Sequence, residues 1–205
     1  TPERAIVTSE SLEIGFIPVG TPGGSGTGSV YTSTLLIEEL SKCHNIHVYY
    51  VSQEEDDDSD QLPATDRVTY TRLPYNRAPH PSINRRRALS TITNKLESHD
   101  IVHSYACEFI PQLSKLNVPV VVTLNSYLPI CPKDSLLRHD GAQCSGPSNA
   151  KCTNCILRSQ DFINDPSSSL KNLYYQLLSI PRVRSSLHLR DGIEAYHCLA
   201  PHIRD

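Results

Sequence analysis

Short apolar runs alternate along this chain with longer stretches in which apolar positions recur every three or four residues. Residues 11–20 (SLEIGFIPVG) predict a first strand that ends in glycine. A glycine-rich turn follows and runs into a helix, with Val30, Ser33, Ile37 and Leu40 on one face. Residues 46–51 (IHVYYV) and 67–74 (RVTYTRLP) predict the second and third strands. A helix from about Ser82 to Ser98 turns Leu89, Ile92 and Leu96 inward. Residues 100–105 (DIVHSY) predict a fourth strand, and 108–116 (EFIPQLSKL) a short helix broken early by Pro111. Residues 118–125 (VPVVVTLN) are apolar almost throughout, as a central parallel strand should be. A helix from Pro166 to Ser179 is expected to stop before Pro181. Residues 193–200 (IEAYHCLA) predict a last strand, and 201–205 the start of another helix.

This alternation predicts an α/β fold: a Rossmann-like parallel sheet with helices on both faces, joined by right-handed crossovers. Ligands of such sheets sit beyond the carboxyl ends of the strands. Three loops are expected at that edge: Gly20 to Gly28, the segment after Tyr105, and Asn125 onward.

Composition narrows the picture. A chain of 205 residues fits one domain, 1–205, able to bury a core without metals or disulfides. The net charge of -3 and the pI of about 6.3 give no global excess of base, so a general nucleic-acid binder is not expected. No apolar run reaches the length of a membrane span, and no signal-peptide pattern opens the sequence. The chain therefore reads as cytoplasmic, where cysteines are reduced or metal-bound. The acidic stretch 53–66 reads as a solvated surface loop.

The loop GTPGGSGTG places Gly20, Gly23, Gly24, Gly26 and Gly28 between a strand and a helix. Glycine lets the backbone approach a ligand closely, and amides at a helix start can bind an anion. The glycines match neither the dinucleotide fingerprint nor the Walker pattern. Phosphate or sugar contact is expected here, with a loose unliganded turn as the alternative.

Cys131, Cys144, Cys152 and Cys155 fall within a cysteine-rich insertion, 126–158, that follows the fifth strand. The last two form a C-x-x-C pair, a spacing that lets two thiolates reach one metal from a single tight turn. A structural zinc, an iron–sulfur cluster, two disulfides and free thiols all remain open. The chain has seven cysteines, an odd count that argues against a fully paired framework. Arg85, Arg86 and Arg87 form a basic run at a helix start. It reads either as a solvated face or as a peripheral contact with an anionic inner-membrane surface. His103, at the end of the fourth strand, reads as a structural histidine or as an acid–base group.

Taken in order, these segments resemble the N-terminal domain of GT-B glycosyltransferases of the family 4 type. The similar segments are the PGG-type loop, the DIVH strand, and VPVVVTLNSYLPICP; LLRHDGAQC and CTNC match a cysteine-bearing subset. The resemblance covers about residues 12–205. It implies that Gly23, Gly24 and Gly26 approach the donor, and that Asn125 stands where the family commonly has a histidine near the reacting sugar. Ser126 replaces the usual acidic neighbour. It also implies a nucleotide-sugar donor, a sugar or lipid-linked acceptor, retention of configuration and no catalytic metal. The donor-binding C-terminal domain, with its Glu-x7-Glu motif, is absent from this chain, so the fragment alone is expected to be inactive. Two other classes stand beside this reading. One is an NAD-type dinucleotide-binding domain, with Glu54 placed to hold a ribose. The other is a non-catalytic, metal-braced interaction module.

Overall fold

The computed structural model describes residues 11–24, 28–51, 62, 65–73, 87–160, 165–188 and 192–198. Six parallel strands form one sheet: β1 (Glu13–Ile17), β2 (Asn45–Val51), β3 (Val68–Leu73), β4 (Ile101–Ser104), β5 (Val120–Leu124) and β6 (Ala195–Cys198). Their order across the sheet is β3-β2-β1-β4-β5-β6. The chain moves outward from β1 through β2 to β3, then returns to the other side of β1 for β4, β5 and β6. Right-handed crossovers in opposite directions must lie on opposite faces, so this order forces helices onto both faces.

The two faces have separate cores. On one, Ile14 and Phe16 of β1 and Ile46 and Val48 of β2 pack with Ile37 of α1 (Gly28–Ser41). α1 buries Ser33, Thr34 and Ser41 beside Ile37, so its inner face is made largely of small hydroxylated residues. Their hydroxyls donate to carbonyls one turn back: Ser33 and Thr34 to Val30 and Ser41 to Glu38, at 2.8–2.9 Å. Buried polar atoms are thereby satisfied within the helix.

On the opposite face, Ile17, Tyr49, Val102, Val120 and Val122 meet Leu89, Ile92, Leu96, Ile110 and Leu113. Leu89, Ile92 and Leu96 are buried as their spacing predicts, although residues 87–90 and α2 (Thr93–Leu96) are separated by a turn at 91–92. Gly15 faces this side, and the His99 ring lies over it; a Cβ there would come 2.7 Å from His99 Cδ2. Tyr49 Oη holds that ring at 3.0 Å from Nε2, and His47 stacks on Tyr49 at 4.4 Å.

Three expectations are corrected. Pro111 lies in the first turn of α3 (Ile110–Leu113), where its missing N–H costs nothing, so it starts this helix and does not break it. The helix from Pro166 passes through Pro181 and runs on to His188 as α5. Buried Ser179 and Val183 anchor it on either side of the exposed proline, offsetting the one lost bond. The C-x-x-C pair lies on a helix, α4 (Asn149–Arg158), and not on a tight turn. Ser148 caps α4 by accepting from the Lys151 N–H at 3.2 Å, and α5 packs against both α3 and α4.

Candidate functional site

The strand order reverses between β1 and β4, and the crevice beyond their carboxyl ends is where an open α/β sheet binds ligands. The Tyr105 N–H donates to the Ile17 carbonyl at 2.9 Å, joining the two strand ends at this point. The glycine loop leaves β1 here, the segment from Tyr105 leaves β4, and the segment from Asn125 leaves the neighbouring β5. The three loops that the sequence assigns to one edge are therefore adjacent.

In the glycine loop Gly23 has φ 77°, a conformation that favours glycine. Its N–H donates to Thr34 Oγ1 of α1 at 3.1 Å, and the Gly24 N–H donates to the Thr21 carbonyl at 3.2 Å. Both amides expected to meet a donor are thus engaged inside the protein. Gly23 itself is exposed, so a ligand meets bare backbone unless Thr34 releases the amide. Gly26 lies outside the described residues.

Asn125 is half-buried at the end of β5, and its amide makes no side-chain hydrogen bond among the described residues. Among the described residues it is a free donor and acceptor, at the carboxyl end of β5. Ser126 turns inward on its own loop: its Oγ accepts from the Leu128 N–H at 3.3 Å. Glu108 is a carboxylate that the sequence reading passed over. It is buried in the 3-10 turn Cys107–Phe109 directly beyond β4, and the only signal for it is an acidic residue inside an apolar stretch.

His103 faces the α1 side of the sheet, 5.1 Å from Phe16 and 5.8 Å from Tyr105 between ring centroids. The Thr123 hydroxyl lies 2.8 Å from its Nε2 and 3.4 Å from His197 Nδ1, giving a polar row across β4, β5 and β6. Burial, and secondarily the neighbouring His197, lower the His103 pKa from 6.5 to about 4. The imidazole is neutral at physiological pH and is held by its neighbours.

Cys131, Cys144, Cys152 and Cys155 line one cavity of about 300 Å³. All four are free thiols. Among the described residues, no three His, Cys, Asp or Glu side chains stand close enough together to hold a metal ion as they lie. Arg87 is exposed, and Arg85 and Arg86 lie outside the described residues, as does Glu54. Among the described residues no helix is long and apolar enough to cross a membrane.

No family model matches the chain, and no curated protein matches it. Among solved structures it is similar to the crystal structure of a UGT transferase from Siraitia grosvenorii in complex with UDP, at 15% identity and a TM-score of 0.45. The match covers 92% of this chain and 51% of that one, so the chain spans about half the length of that structure. A likeness this distant carries no argument about activity. The chain is a six-stranded, all-parallel, Rossmann-like α/β domain.

Proposed function

We propose that this domain is the acceptor-side half of a GT-B-type glycosyltransferase, moving a sugar from a nucleotide-sugar donor to a glycan or lipid-linked acceptor with retention of configuration. The observation that carries the reading is that the three family-like segments leave the carboxyl ends of the consecutive strands β1, β4 and β5. These segments are distant in sequence, and the parallel strand order brings them to the edge where such sheets bind ligands.

On this reading Asn125 orients a sugar hydroxyl by hydrogen bonding, since an amide cannot act as a base. Gly23 and Gly24 allow close approach of the donor, with Thr34 holding the loop in shape. His103 braces the crevice floor through Thr123, and burial lowers its pKa to about 4. The test is transfer by the protein expressed from its complete reading frame, offered a panel of nucleotide sugars. Asn125→Ala should lower kcat/KM at least tenfold. An unchanged kcat/KM would remove Asn125 from the site.

The strand order is shared with dinucleotide-binding domains, which keeps that reading in view. The missing glycine fingerprint speaks against it. Tight NADH binding with no sugar transfer would reverse the preference.

A further inference from the structure

We propose that the four-cysteine cavity is a zinc site, in which Cys131, Cys144, Cys152 and Cys155 close around one Zn²⁺ and lock the loop after β5 onto α4. The proposal does not depend on the transferase reading.

Three observations carry it. First, the sulfurs come from three separate pieces of chain, yet all line the same cavity. Cys152 and Cys155 stand three positions apart on α4, one turn on the same side, and Cys131 follows directly on the turn that leaves β5. Two of the four, Cys131 and Cys152, are buried, and none forms a disulfide.

Second, the loop that brings them together is strained although it closes on itself, the Arg138 N–H donating to the Ala142 carbonyl and the Cys144 N–H to the Leu136 carbonyl, each at 2.8 Å. Among its residues only the isolated bridge Leu137–Gln143 has sheet character. Asp134 and Leu136 both have positive φ, at 58° and 52°. Leucine in that region costs free energy, and such conformations persist only where the surroundings over-determine them. A metal tying Cys131 and Cys144 to α4 would supply that constraint.

Third, the cavity is rimmed by cations able to offset thiolate charge, against the burial that raises the Cys152 pKa. Lys133, Arg138 and Lys151 line it, and no Asp or Glu does. Lys133 Nζ lies 3.7 Å from Cys155 Sγ and donates to the Leu137 carbonyl at 3.3 Å, which places the cation against the sulfur ring. Arg138 is balanced by Asp140 outside the ring at 2.8 Å, whereas Lys151 points to Ser145 at 3.2 Å. Four thiolates and one Zn²⁺ carry a net charge of about -2, which two nearby lysines offset.

As they lie, no three of these thiols stand close enough together to hold a metal ion. Zinc–sulfur bonds are about 2.3 Å long, so binding must draw the sulfurs inward. Each ligand gives its thiol proton to solvent as it binds, and the cavity collapses onto the ion. Zinc would then be a folding element of residues 131–158.

The test is metal analysis of the protein expressed from its complete reading frame and purified without added metal. One equivalent of zinc per chain is expected, lost in Cys152→Ser. Exchange with Co²⁺ should give thiolate-to-cobalt charge transfer and tetrahedral ligand-field bands. Chelation should expose all four thiols to alkylation at least tenfold faster, with faster proteolysis confined to 131–158. The cobalt spectrum and the alkylation rates are read on the unsubstituted protein, so a misfolded variant does not blunt the test. Four thiols that alkylate at one rate with and without chelator, two disulfides under non-reducing conditions, or iron with acid-labile sulfide would each overturn the proposal.

Discussion

The polar row His103–Thr123–His197 makes a quantitative prediction about stability against pH. In the folded protein His103 has its pKa depressed to about 4 from 6.5, chiefly by burial. Between these values the unfolded chain binds a proton that the folded one refuses, so stability is lost as pH falls through this window. Integrating for one group with these two pKa values, the loss between pH 7 and pH 5 is about 2 kcal/mol. The perturbation is His103→Gln, which keeps a hydrogen-bonding group within reach of Thr123 but cannot titrate. Urea unfolding at both pH values gives four free energies. His47 and His99 also have lowered pKa values, again mainly through burial, and they lose stability in the same direction in both proteins. The difference between variant and parent therefore isolates His103. The variant should be destabilised at pH 7 by imperfect packing, yet lose about 2 kcal/mol less than the parent on going to pH 5. An equal loss in both proteins would show that His103 is not buried as a neutral base.

Further predictions test other parts of the account. Gly15→Ala should destabilise by about 1–3 kcal/mol in urea unfolding, because its Cβ meets the His99 ring that Tyr49 holds. Gly28→Ala has nothing within 4 Å and should be neutral or stabilising by up to about 1 kcal/mol, so equal effects at the two glycines would contradict the packing described. Leu89→Ala, in the core between the sheet and residues 87–96, should cost about 2–5 kcal/mol by the same assay. Asn125→Ala should leave stability within about 0.5 kcal/mol, since no partner among the described residues is lost, while transfer falls at least tenfold. Ser148→Ala removes the cap of α4 and should cost about 1 kcal/mol there, seen as faster alkylation of Cys152 relative to Cys107.

Much of the fold is legible in the sequence for a simple reason. Central parallel strands are buried on both faces, so β1, β2, β4 and β5 read as continuous apolar runs, and alternation with helices leaves few topologies. The helix bounds are less legible where a single residue type misleads. Pro181 marks a helix end by rule, but Ser179 and Val183 are buried on either side of it and carry the helix through. α4 was hidden because NAKCTNCILR buries only Cys152 and Ile156, too few apolar positions to show a period.

The candidate site divides along the same line. Loop placement follows from strand order, so the glycine loop, Tyr105 and Asn125 could be put at one edge before any coordinates. Contacts across strands could not. The bond from the Gly23 N–H to Thr34, and the hydroxyl of Thr123 between His103 and His197, depend on register and helix placement that no local pattern encodes. These contacts are what change the roles. They turn an expected anion-binding amide into a satisfied one, and they give the His103 imidazole a hydrogen-bond partner on the next strand.

The measurement that tests the central claim most directly is a product assay on the protein expressed from its complete reading frame. It would be incubated with a panel of nucleotide sugars and with glycan and lipid-linked acceptors, and the products read by mass spectrometry. The account predicts an acceptor heavier by one sugar residue, formed with release of the nucleotide and lost in Asn125→Ala. No transfer with any donor, together with tight NADH binding to the same crevice, would contradict it.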